Sequence, residues 1–212
     1  MNPENALGKM PLDQFLDLLA SPSPTPGGGG IAALAGALSA GLLSMVCNLT
    51  VGKEKYADVQ EDVKRLLAES EELRHQLLQL VDADARAFNQ IMEGYRLPKG
   101  TEEEKRARST RIQEATLEAS RVPLEIARKC ARLVELADPA ARMTNVQAIG
   151  DVAMSAYLAE SALRGAVVNI EINLRSVKDR EAVRQLNEQA QALLPGLQER
   201  VTGAIRNGMA RL

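Results

Sequence analysis

The chain has 212 residues, 45% of them hydrophobic, which is enough for a sizeable core in a single domain, residues 1–212. Only 2% are aromatic, so the core must be built from Leu, Ala, Val, Ile and Met, a composition that suits closely packed helices. The formal net charge of −2 offers no basic surface, which argues against nucleic acid as a partner.

The apolar periodicity predicts helix after helix and no strand, so the expected fold is an all-α bundle of about six helices. The predicted helices, in chain order, are a short one around 12–19, then 31–51, a long third helix at 54–95, one that starts after 101, then 146–174 and 178–211. Thr101 and Glu104 predict a capping box at the start of the fourth helix. Pro123 is expected to kink or interrupt that helix, and Pro195 with Gly196 to break the sixth.

The second predicted helix is uncharged, rich in Ala and Gly, and long enough to span a bilayer. Its small residues, and the lack of basic residues at its start, favour instead a buried central helix of a bundle. The fifth helix has a similarly thin face of alanines, from Ala153 to Ala166. Small faces let helix axes approach closely, so these two helices are expected to pack centrally, on each other or across a dimer axis.

Two cysteines and one histidine are poorly suited to a structural zinc site, and no metal is expected. Cys47 and Cys130 lie in apolar helical contexts, which indicates buried free thiols in a reducing compartment. No secretory leader is visible, so a cytoplasmic protein without a membrane partner is expected.

The segment 23–30 reads Ser-Pro-Thr-Pro-Gly-Gly-Gly-Gly and leads directly into the second helix. Prolines fix the approach, and glycines let the backbone come close to something else. Unpaired N–H groups at a helix start favour an anion. We interpret Gly27, Gly28 and Gly29 as a loop that forms a ligand wall or a tight packing corner; the alternative is a plain linker.

Asp84 interrupts the apolar stripe of the third helix, between Val81 and Phe88. A carboxylate there would be desolvated and its pKa raised unless it is paired, for example with Arg164. Asp82 lies about 200° around the same helix, so the two aspartates do not form a simple dyad.

Four further polar residues stand near the ends of the apolar helices: Asn48, Lys53, Asp151 and Asn169. Each has a structural interpretation as well, because Asn48 and Lys53 can cap helix ends and Asp151 suits a helix N-terminus. Taken together, buried polar groups need partners, and the set suggests a ligand site.

An ordered set of motifs resembles the cyclodeaminase/cyclohydrolase family of folate enzymes. The matching segments are 23–29, 48–53 with Tyr56, 82–88, 95–99, 114–116, 122–124, 151–153 and 164–174. The resemblance implies an all-helical homodimer and a tetrahydrofolate substrate, with no other cofactor. Two positions depart from the usual pattern, since Gly30 replaces a Ser and Leu117 replaces a Lys.

The function implied by this resemblance is hydrolysis of 5,10-methenyltetrahydrofolate to 10-formyltetrahydrofolate by carboxylate acid–base catalysis. Asp84, Asp151 and Lys53 are the expected catalytic residues. The expected substrate-binding residues are Gly27, Gly28, Gly29, Asn48, Asp82 and Asn169. Two alternatives remain open: a formiminotetrahydrofolate cyclodeaminase that releases ammonia, and a non-catalytic helical dimerisation protein.

Overall fold

The computed structural model describes residues 6–212, so the first five residues of the predicted domain lie outside it. The described residues contain no strand and form seven α-helices, which confirms the all-α prediction. The helices are α1 (Leu12–Ala20), α2 (Gly28–Asn48), α3 (Gln60–Arg96), α4 (Glu102–Met143), α5 (Ile149–Leu174), α6 (Arg180–Gln191) and α7 (Leu197–Met209).

Helices α2, α3, α4 and α5 form a four-helix bundle, with each helix packed against the next and α5 returning to α2. Helix α7 packs on α4 and α5, and α6 packs on the same pair. Helix α2 is long and apolar enough to cross a membrane by length and composition alone, but most of it is buried in this bundle.

The thin faces of α2 and α5 pack on each other, as predicted. Their contact is fixed by a buried pair of serines, Ser39 and Ser155. The hydroxyl of each donates to the backbone carbonyl of the other over 2.9 Å. Alanines such as Ala33, Ala40 and Ala159 are fully buried around this pair. Larger residues there would hold the two axes further apart.

Helix α4 continues through Pro123, so of the two predicted effects, a kink or an interruption, the interruption is absent; the helix also continues through Pro139. A proline lacks an N–H and therefore leaves the carbonyl four residues earlier without its helical partner. The carbonyl of Ala119 is the one that Pro123 releases, and it accepts a hydrogen bond from the side chain of Asn173 on α5. Packing of α4 between α3 and α5, together with this replacement bond, keeps the helix continuous.

Three further predictions concern helix ends: a break, a capping box and the start of α2. The predicted sixth helix is two helices, α6 and α7, separated at Pro195 and Gly196, where Gly196 adopts a left-handed conformation. The predicted capping box of Thr101 and Glu104 is present. Helix α2 starts at Gly28 rather than at residue 31, so three glycines form its first turn and only Gly27 precedes it.

Candidate active site

A cavity of about 120 Å³ lies beneath the N-terminus of α2. Its walls come from the turn before α2, from α3, from α4 and from α5. The residues that line it include Thr25, Gly27, Gly28, Gly29, Asp84, Phe88, Ile91, Asn169 and Asn173. Of the described residues that line the cavity, Asp84 alone is charged, so its carboxylate dominates the local electrostatics.

Asp84 packs directly against the first turn of α2. The backbone N–H of Gly30 donates a hydrogen bond to its carboxylate. A β-carbon on Gly29 would lie 2.6 Å from Cγ of Asp84, closer than any real contact, so a side chain at position 29 would displace this carboxylate. Burial raises the pKa of Asp84 above its ordinary value, and the bond from Gly30 opposes part of that rise.

The suggestion that Asp84 pairs with Arg164 is wrong. Arg164 is exposed and donates instead to Glu160, one turn earlier on α5. Asp84 therefore has no Arg164 partner, and the N–H of Gly30 offsets only part of its desolvation, so this carboxyl group is suited to change its protonation state.

The N-terminus of α2 directs its remaining donors at the same cavity. The N–H of Ile31 bonds to the carbonyl of Gly27, and that of Gly30 to Asp84. Among the described residues, no acceptor meets the N–H groups of Gly28 and Gly29. Together with the helix dipole, these donors favour negative charge at this end of the cavity.

Asn169 completes the group of predicted residues that the fold brings together. A β-carbon on Gly28 would lie 3.3 Å from Nδ2 of Asn169, so the two residues are neighbours. The amide nitrogen of Asn169 donates to the carbonyl of Gly165 over 2.8 Å. Gly27, Gly28, Gly29, Asp84 and Asn169 thus surround one cavity, as the sequence suggested.

The lining side chains that were not among the predicted site residues include Phe88, Ile91 and Asn173. Asn173 follows Asn169 by one helical turn, so the two amides share a face of α5. That spacing was the signal in the sequence. Phe88 and Ile91 lie on α3 and supply an apolar wall beside Asp84.

Asp82 does not line this cavity. Its carboxylate accepts from the N–H of Leu7 over 2.6 Å and from that of Gly8 over 3.5 Å. It therefore fastens the 3₁₀ turn at Leu7–Lys9 to α3. The prediction of Asp82 as a substrate-binding residue is not supported by this position, because the 200° between the two aspartates directs them to different neighbours.

Asn48, Lys53 and Asp151 lie at the opposite end of the bundle. Asn48 ends α2, which has 21 residues and so extends about 30 Å from Gly28 at ~1.5 Å per residue. Lys53 follows in an exposed turn, and Asp151 starts α5. Within one chain, then, the structure does not bring these three residues to Asp84.

That opposite end is held together by hydrogen bonds between two connections. Thr50 Oγ1 accepts from the N–H of Asn145 over 2.9 Å. The hydroxyl of Tyr56 accepts from the N–H of Val146 over 3.2 Å. The segments that carry Lys53 and Asp151 are therefore anchored at the same end of the molecule.

The two departures from the family pattern differ in their location. A β-carbon on Gly30 would lie 3.7 Å from Oδ2 of Asp84, an ordinary contact, so a side chain fits there beside the cavity. Leu117 lies elsewhere, in a cleft between α4 and α6 with Leu124 and Leu186. The change at position 117 leaves this cavity untouched.

Both central helices also carry an apolar stripe that no described residue covers. The stripe consists of Leu38 and Met45 on α2 with Leu49 at its C-cap, and of Met154, Tyr157, Val168 and Ile172 on α5. At ~100° per residue, these positions keep each set on one face of its helix. Exposed apolar surface of this kind marks an interaction site.

The sequence model described as formiminotransferase-cyclodeaminase matches residues 11–192. The chain belongs to this family. It is 41% identical to the methenyltetrahydrofolate cyclohydrolase of Methylorubrum extorquens over 94% of this chain and 98% of that protein. It is 35% identical to the formimidoyltransferase-cyclodeaminase of Mus musculus, covering 84% of this chain but only 33% of that longer protein.

The fold is also found in a solved structure. The crystal structure of formiminotetrahydrofolate cyclodeaminase from Thermotoga maritima matches with a TM-score of 0.80 and 30% identity. The match covers 93% of this chain and 96% of that one. The family is thus an enzyme family in which both the hydrolase and the deaminase named above occur.

Proposed function

We propose that this protein hydrolyses 5,10-methenyltetrahydrofolate to 10-formyltetrahydrofolate, with Asp84 as the acid–base residue. The observation that carries the proposal is the half-buried carboxylate of Asp84, whose pKa is raised by desolvation and which is the one charged group among the described residues that line the cavity. The match to the Methylorubrum cyclohydrolase along nearly its whole length supports the hydrolase over the deaminase.

The reaction needs a base and then an acid at one carbon. The substrate carries a cationic amidinium carbon between two nitrogens, N5 and N10. The ionised Asp84 stabilises this cation and takes a proton from water as the oxygen bonds to the carbon. The protonated Asp84 then returns that proton to N5 as the bond between carbon and N5 breaks. The hydroxyl group on the carbon loses its remaining proton to solvent in the same step, which leaves a neutral formyl group on N10. A raised pKa suits a group that both accepts and donates.

We infer further that the protein acts as a homodimer through the apolar stripes of α2 and α5. A two-fold axis across these helices would place them antiparallel to those of the second copy. The end with Asn48, Lys53 and Asp151 in one protomer would then face the end with Asp84 in its partner. This arrangement accounts for predicted site residues that lie about 30 Å apart in one chain.

The size of the cavity supports the same arrangement. At about 120 Å³ it holds one ring system rather than a whole folate, because ligand pockets usually enclose about 300–1,000 Å³. No lysine or arginine of the described residues lines the cavity, so we expect the anionic glutamate tail of the folate to lie outside it. Lys53 of the facing copy would be a suitable cation for that tail.

The second candidate function is cyclodeamination of formiminotetrahydrofolate. The Thermotoga structure and the mouse relative carry that name, and the same tetrahedral carbon and the same acid–base group would serve it. The two reactions differ in the product, because deamination releases ammonia and hydrolysis does not.

A paired assay tests the proposal. The purified protein is given 5,10-methenyltetrahydrofolate, and the loss of its ultraviolet absorbance is compared with that in buffer; in parallel, ammonia release from formiminotetrahydrofolate is measured. We expect rapid loss of absorbance and little ammonia. Ammonia release with slow hydrolysis would establish the deaminase instead, and no effect on either compound would indicate a non-catalytic helical protein.

A further inference from the structure

The side-chain amide of Asn173 is held in one orientation by α4. Its nitrogen donates to the carbonyl of Ala119 over 3.3 Å. That carbonyl is available because Pro123, four residues later, has no N–H to offer it. Since a carbonyl accepts only donors, the amide nitrogen must face Ala119 and the amide oxygen must face away from it.

The amide oxygen of Asn173 has no donor among the described residues, and the side chain lines the cavity. The same is true of Asn169, whose nitrogen is engaged by the carbonyl of Gly165. The two residues lie one turn apart on α5, so they present two acceptor groups on one wall. Both side chains are half-buried, so each free acceptor can take a hydrogen bond from a ligand donor that enters the cavity.

The wall opposite these amides carries Asp84 and the ring of Phe88 on α3. A flat heteroaromatic ring between the two walls would contact Phe88 and place one edge at the amides. In a tetrahydropterin, N5 lies on one side of the bicyclic ring, while N3–H and the 2-amino group lie on the other. With N5 directed at Asp84, the donor edge of the ring therefore meets the acceptors of α5.

On this basis we propose that Asn173 is a specificity-determining residue that reads the donor edge of the substrate ring, and that Pro123 is its positioning residue. This assignment rests on the proposed function, because it takes the bound ring to be that of a tetrahydropterin. Pro123 acts through the released carbonyl of Ala119 and does not itself contact the ligand.

The test compares 5,10-methenyltetrahydrofolate with its 2-desamino-2-methyl analogue, which lacks the 2-amino donors. The readout is the ratio of the two kcat/KM values, which a purely structural role for Asn173 would not change. We expect the parent protein to prefer the amino compound roughly tenfold or more, as a site with an unpaired acceptor should. Asn173→Leu should lower that ratio towards one.

Pro123→Ala tests the positioning step, and Pro139→Ala in the same helix is its matched control. The Pro123→Ala change would return an N–H to the carbonyl of Ala119 and compete with Asn173, so the ratio should fall, whereas Pro139→Ala should leave it unchanged. The double variant Pro123→Ala, Asn173→Leu satisfies that carbonyl within α4 and keeps the test available if Asn173→Leu alone folds poorly.

The outcomes separate this inference from the proposed function. Parental hydrolysis with a ratio unchanged in Asn173→Leu, or in the double variant, overturns the role of Asn173. A ratio that falls in Asn173→Leu but not in Pro123→Ala overturns the positioning role. A parent protein that hydrolyses neither compound overturns the proposed function, and this assignment with it.

Discussion

The carboxylate of Asp84 lies so close to the backbone of Gly29 that any side chain at position 29 would displace it. A β-carbon at position 29 would lie 2.6 Å from Cγ and 2.9 Å from Oδ2 of Asp84. The glycines of α2 therefore let a carboxylate of α3 approach the start of a helix, where backbone donors partly offset its burial.

Gly29→Ala is expected to disturb the site more than the fold. The added methyl group displaces the Asp84 carboxylate, at a cost of about 1–3 kcal/mol for overpacking. Folate turnover should fall sharply, while the far-ultraviolet circular dichroism remains helical. Gly203→Ala in α7 is the matched control, because nothing lies within 4 Å of its new β-carbon. It should gain up to about 1 kcal/mol and keep full turnover. An equal loss of turnover in Gly29→Ala and Gly203→Ala would contradict the close contact between Gly29 and the Asp84 carboxylate.

The raised pKa of Asp84 makes a prediction about stability. The folded state disfavours the ionised carboxylate, so ionisation of Asp84 lowers the free energy of unfolding. This loss of stability is absent below the ordinary pKa of an aspartate, about 3.9, and it grows with pH until the pH exceeds the raised pKa. Asp84→Asn removes the charge but keeps an acceptor for the N–H of Gly30. Its melting temperature should therefore exceed that of the parent at pH 8.

The same comparison at pH 4.5 should show a smaller difference between the two melting temperatures. Other carboxylates titrate in both proteins and cancel from the difference, so the change with pH isolates Asp84. A variant that is less stable than the parent at pH 8 would mean that the carboxylate is stabilised where it lies.

Subunit complementation tests the shared site. Asp84→Asn and Lys53→Met variants should each be inactive or weakly active alone. In a mixed dimer, both changes fall in one of the two sites if each site combines Asp84 of one copy with Lys53 of the other. The second site is then intact, so random mixing should restore about a quarter of the parental turnover. No recovery, in a sample shown by sedimentation to contain dimers, would place both residues in sites of a single chain or exclude Lys53 from the site.

Much of this architecture could be predicted from the sequence, because apolar periodicity identifies helices and their buried faces. Asp84 was visible as a charge that interrupts such a face, and Asn169 as an amide on a helix with little room. The continuity of α4 through Pro123 was not visible, because it depends on packing and on a bond from α5.

The positions of Lys53 and Asp151 could not be predicted either. Periodicity shows which face of a helix is buried but not how far one helix end lies from the next. The pairing of Ser39 with Ser155, and of Gly28 with Asn169, makes α2 and α5 antiparallel, which sends Asp151 to the end opposite Asp84. Asp82 belongs to the segment 82–88 that resembles the family, but its partners lie in the 3₁₀ turn near Leu7.

The most direct test of the account is the rate at which Asp84→Asn hydrolyses 5,10-methenyltetrahydrofolate under saturating substrate. The change keeps the shape of the side chain and removes its titration. We predict a fall in kcat of at least ~100-fold, as expected for loss of a general acid–base group, with an unchanged helical spectrum. A kcat close to that of the parent protein would contradict the account, because the carboxylate on which the proposed chemistry depends would then be dispensable.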